Sequence, residues 1–146
     1  MPRPAVLFLC TGNACRSQMA EGWARALHGD RLDVASAGTA PGRLDPRAVA
    51  AMAEAGVDIA GQRSKGLDAF AGRRFDLVIT VCDHARERCP VLPGARHLHA
   101  GFPDPPALAA GASSEEEALE HYRAVRDAIR AFVAGLPDHL DTGESR

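Results

Sequence analysis

The start of the chain carries the feature that most limits its fold: an apolar run, a short polar loop and a helical pattern follow one another without a break. The run Ala5–Leu9 predicts a strand that is buried on both faces, as strands of parallel sheets are. The loop Cys10–Ser17 contains Gly12 and Asn13, which adopt left-handed backbone more readily than other residues. The helix that follows stops at Gly29. A strand, a tight loop and a helix N-terminus in this order form a nest of backbone N–H groups that binds anions.

The rest of the chain alternates between strand-like and helix-like patterns, which is typical of βαβ units around a parallel sheet. Further strands are predicted at 32–37, 75–81 and 96–99, and helices from Asp45 to Gly56, briefly after His84, and over a long stretch after Ser113 or Ser114. The order predicts an α/β fold: one domain over residues 1–146, with a four-stranded parallel sheet in the flavodoxin-like order 2-1-3-4 and helices on both faces. We expect an exposed loop at 101–111, rich in Pro and Gly, and a frayed tail at 137–146.

The loop after strand 1 combines a nucleophile with a fixed cation. Cys10 lies at the base of the nest, where the field of the loop is expected to lower the thiol pKa. Arg16 supplies a planar fork of donors that matches two oxygens of a tetrahedral oxyanion, and Ser17 can donate a hydrogen bond towards the thiolate. The predicted oxyanion-binding residues are Thr11, Gly12, Asn13, Ala14, Cys15 and Arg16. The plainer interpretation is a buried cysteine at a strand end beside a surface arginine.

Displacement at a bound oxyanion also needs a general acid for the departing oxygen. Asp104 is the best candidate, because the prolines around it in the segment 102–106 would hold its carboxylate in place. Asp-Pro pairs also form ordinary turns, and by itself this motif favours the turn.

Four cysteines stand at positions 10, 15, 82 and 89 of a chain of 146 residues. No segment has the form of a signal peptide or the roughly 20 apolar residues of a membrane span, so we expect a cytoplasmic protein with reduced thiols. Cys82 follows strand 3, the predicted neighbour of strand 1, so Cys10 and Cys82 are expected within disulfide range. If 82–89 is helical, Cys82 and Cys89 lie about 10 Å apart, and a bond between them requires that segment to unwind.

The alternative for Cys82 and Cys89 is that both are buried structural residues. A zinc site is disfavoured, because the chain has no Cys-x-x-Cys pair and no His at ligand spacing, and no metal is predicted. The formal charge of −2 and the pI near 6.3 argue against a nucleic-acid partner. We therefore expect a small oxyanion as substrate, no membrane partner and a monomer.

Three motifs now show a likeness to a known family. The motifs are the loop with the start of its helix at 10–22, the cysteine pair in Val81-Cys82-Asp83 and Cys89-Pro90, and the acid loop at 101–105. They resemble parts of the arsenate reductases of the thioredoxin-coupled type. These enzymes share the low-molecular-weight tyrosine phosphatase fold. The similarity extends from about residue 4 to 135, and the three motifs agree in order and spacing.

The resemblance implies a mechanism. Cys10 attacks arsenate held by the loop and Arg16, while Asp104 protonates the departing hydroxyl. Cys82 then attacks Cys10, which releases arsenite, and Cys89 attacks Cys82. The resulting Cys82–Cys89 disulfide is reduced by thioredoxin, an external reductant, with no bound cofactor. Cys15 has no step and is expected to be dispensable.

The chain departs from the family at one place. Some members hold a potassium ion with side chains that match Asn13, Glu21 and Ser36 and with an acidic residue near position 65, where this chain has Lys65. We hypothesise that the Lys65 ammonium replaces the ion and makes the activity insensitive to potassium.

Two other functions remain open. A low-molecular-weight protein tyrosine phosphatase needs Cys10, Arg16 and Asp104 but neither Cys82 nor Cys89, and it hydrolyses phosphomonoesters through a phosphoenzyme. It usually grips the substrate ring with aromatic side chains, and near the predicted acid this chain offers only Phe102. A non-catalytic thiol switch built on Cys82 and Cys89 would leave the anion nest unexplained.

Overall fold

The structure, a computed structural model, describes residues 3–82 and 94–136. The short helix predicted after His84, the residue Cys89 and the tail at 137–146 lie outside the described residues, so these predictions stay untested. Among the helices that the structure describes, none is long and apolar enough to cross a membrane.

A four-stranded parallel sheet forms the centre of the described chain, and its order β2-β1-β3-β4 confirms the prediction. The strands are β1 (Ala5–Cys10), β2 (Asp33–Gly38), β3 (Leu77–Thr80) and β4 (Arg96–His99). The first and second strands extend one residue beyond the predicted ends, and β3 is shorter than the predicted 75–81. Successive side chains of a strand point to opposite faces, yet Val6, Leu7, Phe8 and Leu9 are all fully buried. Both faces of the sheet are therefore covered.

Two of the helices begin at residues whose side chains cap them. They are α1 (Arg16–His28), α2 (Pro46–Glu54), α3 (Pro105–Ala109) and α4 (Glu115–Ala134), with a 3-10 helix at Leu67–Phe70. Asp45 caps α2 by accepting a bond from the Arg47 N–H, and Ser114 caps α4 by accepting one from the Glu117 N–H. These caps were predicted from the sequence.

The prediction of an exposed loop at 101–111 is wrong in part, because α3 occupies Pro105–Ala109. Proline fits the first turn of a helix, where its missing N–H would have no partner in any case. Asp104 takes the N-cap position, but its carboxylate makes no capping bond to the described backbone of α3. The carboxylate is thus not used for a local turn.

Candidate active site

The segment Cys10–Ser17 forms a closed loop whose carbonyl oxygens point outward. Donors outside the loop hold these oxygens: Thr39 N on Cys10 O (3.1 Å), Ala40 N on Thr11 O (2.8 Å), Gly42 N on Gly12 O (2.9 Å), Gln18 Nε2 on Asn13 O (2.9 Å) and Asp45 N on Ala14 O (2.9 Å). In a trans peptide the N–H lies opposite the C=O, so the following N–H groups turn to the inside of the loop. Asn13 has φ 49°, the left-handed conformation expected of it. The inward N–H groups and the start of α1 together make the predicted anion nest.

Gly38, at the end of β2, lets the loop pass close to the sheet. A Cβ at this position would lie 2.6 Å from Thr11 O and 2.9 Å from Asn13 N. The close approach therefore requires a residue without a side chain.

Arg16 lies at the mouth of the nest with a side chain that is 13% exposed. One terminal nitrogen donates to Phe102 O at 3.0 Å, and the other lies 3.5 Å from Asp104 Oδ1. Its Nε is buried and has no hydrogen-bond partner among the described residues. Buried donors are almost always bonded, so this N–H is suited to an oxyanion in the loop. The contact also brings Asp104, the predicted acid, to the same site.

Cys10 and Cys82 lie side by side at the floor of the nest, both buried. Their side chains share a hydrogen bond, and the Thr11 hydroxyl lies 3.3 Å from the sulfur of Cys82. The topological prediction that the two thiols meet is therefore confirmed. A reducing step needs two thiols within reach of each other, and this site has them.

The hydrogen bond that the Cys10 thiol donates to the Cys82 sulfur raises the pKa of Cys10, and burial raises it further, while Arg16 and the Ser17 N–H lower it. The prediction of a lowered pKa is thus wrong for the reduced pair without an oxyanion, because it counted the field of the loop and left out the second thiol. Only one thiol of such a pair ionises easily, since the other then donates to the thiolate. Arg16 and the Ser17 N–H favour the charge on Cys10.

Ser17 and Asn13 support the nucleophile from behind, and both are fully buried. Ser17 contributes its N–H to Cys10. Its hydroxyl accepts a bond from Asn13 Nδ2 at 2.8 Å, which leaves the hydroxyl hydrogen available for donation. The structure thus gives Ser17 a role through its backbone that the sequence did not suggest.

Sequence reasoning missed the side chains that fix the outside of the loop. Gln18, fully buried, directs its Nε2 at Asn13 and at Arg63 O, and it accepts a bond from Gln62 Nε2 at 2.6 Å. The Ser64 hydroxyl donates to Gly12 O at 2.8 Å. The one signal for this network is a glutamine in the first turn of a helix at a position that faces the core.

The side chain of Lys65 lies at the site where, by the resemblance, some family members hold a potassium ion. Its Nζ lies 3.0 Å from Arg63 O, 3.4 Å from Ser36 Oγ and 3.7 Å from Glu21 Oε1. Burial lowers the pKa of Lys65, and Glu21 opposes that shift. The oxygens that would ligate a potassium ion already surround an ammonium group, so this set of residues does not fit a second cation.

Cys15 is buried in the loop. Burial raises its pKa, and the neighbouring Asp45 carboxylate raises it further. Cys15 is therefore held as a neutral thiol, and its dispensability stays a prediction.

The comparisons with known proteins agree with this geometry. The sequence profile of the family described as low molecular weight phosphotyrosine protein phosphatase matches residues 5–145. The chain belongs to this phosphatase family. An arsenate reductase of Bacillus licheniformis is 46% identical over 145 residues, which are 99% of this chain and 100% of that protein.

Solved structures give the same result. A family member described as an arsenate reductase in the phosphate binding state superposes with a TM-score of 0.74 at 32% identity, covering 94% of this chain and 98% of its own. A thioredoxin-dependent arsenate reductase of Corynebacterium glutamicum gives a TM-score of 0.73 at 26% identity, covering 98% of this chain and 64% of its own. The resemblance seen in the sequence motifs is confirmed.

Proposed function

We propose that this protein reduces arsenate to arsenite with its own thiols and that thioredoxin returns it to the reduced state. The observation that carries the proposal is the Cys82 thiol hydrogen-bonded to Cys10 at the floor of an anion nest. Hydrolysis of a phosphomonoester uses one thiol, whereas reduction of arsenic uses two. The names of the similar proteins support the same substrate and the same reductant.

The first step is a displacement at arsenic. The nest and Arg16 Nε hold the oxyanion, and the Cys10 thiolate forms a bond to arsenic while one As–O bond breaks. The departing hydroxyl takes a proton from Asp104 and leaves as water. Asp104 is 46% exposed and lies 3.5 Å from Arg16, so it can reach that oxygen from the open side of the loop.

The second step is the reduction. The sulfur of Cys82 attacks the sulfur of Cys10, an S–S bond forms, and the S–As bond breaks with its electron pair remaining on arsenic. Arsenic(V) becomes arsenic(III) and leaves as arsenite, and the two thiols become one disulfide. Since the sulfurs are already neighbours, the step needs no large movement of the described chain.

The remaining steps return the nucleophile. Cys89 attacks Cys82, which frees Cys10 as a thiol and moves the disulfide to Cys82–Cys89. The dithiol of thioredoxin then reduces this bond by exchange. Cys89 lies outside the described residues, so its role rests on the sequence resemblance alone.

The test is arsenate-dependent oxidation of NADPH in the presence of thioredoxin and thioredoxin reductase. We expect turnover by the wild type and none by Cys89→Ser, while Cys89→Ser still releases arsenite in a single turnover. Cys15→Ser is the matched control and is expected to retain both activities. Normal turnover by Cys89→Ser would show that the three-thiol relay is wrong.

The same preparation tests the family's other activity. Phosphate and arsenate have nearly the same shape, so weak hydrolysis of p-nitrophenyl phosphate is expected. Hydrolysis that is undiminished in Cys82→Ala, together with no reduction of arsenate by the wild type, would assign the protein as a phosphatase.

We also propose that the protein works as a monomer in the cytoplasm with no bound cofactor. The relay, as proposed, uses only side chains of one chain and an external dithiol, and reduced thiols are typical of that compartment. Light scattering of the purified protein tests the monomer, and fractionation of cells tests the location.

A further inference from the structure

Asp45 holds one of the loop carbonyls from a place in the chain outside the strap that holds the first three. The donors to Cys10, Thr11 and Gly12 lie in the strap 39–42, directly after β2. Asp45 instead stands at the start of α2 and donates its N–H to Ala14 O at 2.9 Å. This bond orients the peptide between Ala14 and Cys15, whose N–H faces the nest. The position of that N–H therefore depends on what fixes Asp45.

Two further bonds fix Asp45. Its Oδ1 accepts from the Arg47 N–H at 2.9 Å, and its Oδ2 accepts from the Tyr122 hydroxyl at 2.5 Å. Tyr122 is 1% exposed and lies on α4, far along the sequence. Arg47 also reaches α4, because its guanidinium forms a two-pronged contact with Glu115 at 3.0 Å. α4 thus holds the residue that orients the Ala14–Cys15 peptide of the nest.

The charge of Asp45 contributes to the difference between the two cysteines of the loop in what sets their pKa values. After burial, this carboxylate is the main cause that raises the pKa of Cys15. The pKa of Cys10 is instead raised by Cys82 and by burial and lowered by Arg16 and the Ser17 N–H. The Asp45 carboxylate therefore disfavours ionisation of Cys15, the thiol beside the intended nucleophile.

We propose that Asp45 and Tyr122 are a positioning pair for the oxyanion loop, with Tyr122 holding Asp45 and Asp45 holding the Ala14–Cys15 peptide. Neither side chain touches the oxyanion; both act through the backbone. The proposal deepens the proposed function, because it assigns positioning residues to the same site. It is tested with inorganic phosphate, so that its outcome is separate from that of arsenate reduction.

Tyr122→Phe removes the hydroxyl and keeps the buried ring. A lost hydrogen bond of this kind weakens binding by roughly fivefold, so we expect the dissociation constant for inorganic phosphate, measured by calorimetry, to rise by about that factor. The KM for arsenate should rise by the same factor while kcat changes little, since the same N–H binds both anions. A merely structural loss would lower the active fraction and hence kcat, with KM unchanged.

Arg123→Gln is the matched control. Arg123 also joins α4 to α2, through Glu54 at 2.7 and 2.8 Å, but at the opposite end of α2. We expect wild-type affinity for phosphate in this variant. Equal loss in both variants would show that general loosening of α4 is responsible, and it would overturn the proposal.

Asp45→Asn keeps a capping side chain and removes the charge, so it serves where Tyr122→Phe folds poorly. We expect iodoacetamide to label Cys15 at lower pH than in the wild type, identified by peptide mapping. Unchanged phosphate affinity in a folded Tyr122→Phe overturns the proposal, and unchanged labelling of Cys15 overturns the effect assigned to the Asp45 charge. If the wild type binds phosphate but does not reduce arsenate, the proposed function fails and the positioning pair is still tested.

Discussion

Gly38→Ala tests how tightly the anion loop is held against the sheet. The new methyl would lie 2.6 Å from Thr11 O, 2.9 Å from Asn13 N and 3.0 Å from Gly12 C, all of them backbone atoms of the nest. Ordinary contacts of a methyl carbon are about 3.5–4.0 Å, so the loop has to move by roughly half an ångström or more. The N–H groups are aimed at the anion, and such a shift misplaces several of them at once.

The expected size follows from two separate effects. Overpacking of a rigid site costs about 1–3 kcal/mol of folding stability, which is seen as a lower Tm. Loss of one to two good hydrogen bonds to a charged ligand costs a further ~1.5–3 kcal/mol in binding, or about ten- to a hundredfold in the dissociation constant for phosphate. The kcat/KM for arsenate should fall by at least as much, because the transition state uses the same N–H groups.

Gly42→Ala is the control for this experiment. Gly42 also contacts the loop, through its N–H on Gly12 O, but a Cβ there has no heavy atom within 4 Å. We expect phosphate affinity and arsenate turnover close to wild type. Wild-type affinity in a folded Gly38→Ala, or an equal loss in Gly42→Ala, would refute the close-approach argument.

Two other predictions concern the charges of the site. The arsenate turnover of the wild type should be the same in potassium and in sodium at fixed ionic strength, whereas that of Lys65→Asp should increase with potassium. A clear increase with potassium in the wild type would contradict the hypothesis that the Lys65 ammonium replaces the ion. Cys82→Ala removes the largest cause that raises the pKa of Cys10, so alkylation of Cys10 by iodoacetamide should begin at lower pH than in the wild type. The folded chain binds the Cys10 proton more tightly than the unfolded chain does, so this contribution to stability is complete below the ordinary thiol pKa of 9.0 and falls as the pH rises above it. Thermal unfolding of the wild type on either side of that pH should therefore show a loss that is smaller in Cys82→Ala.

The parts of the site that the sequence predicted are those fixed locally or by topology. The nest follows from residues 10–17, because a strand, a left-handed turn and a helix N-terminus leave few conformations to the chain between them. The meeting of Cys10 and Cys82 follows from the order of parallel strands, whose carboxyl ends lie at one edge. Local pattern and handedness were sufficient for both.

The parts that the sequence did not predict depend on side chains that are distant along the chain. Tyr122 lies 77 positions from Asp45, and nothing in a helical stripe distinguishes a tyrosine that packs from one whose hydroxyl holds a loop. The pKa of Cys10 was given the wrong direction for a similar reason. Its value depends on whether Cys82 reaches hydrogen-bond distance, and strand spacing predicts a neighbourhood rather than a bond.

The placement of Cys82 shows how an anion nest of this kind becomes able to reduce its substrate. β1 ends at Cys10 and β3 ends at Thr80, and the Val81 N–H still pairs with Leu9 O at 2.9 Å. The register that pairs Leu9 with Thr80 places Cys10 beside Val81, so a regular strand would turn the side chain of position 82 to the opposite face of the sheet. Cys82 instead lies in a bend just after the ladder ends, and there its sulfur contacts Cys10. The second thiol adds a redox step without a change in the loop, because β1 and β3 end side by side and the bend after β3 brings the sulfurs together.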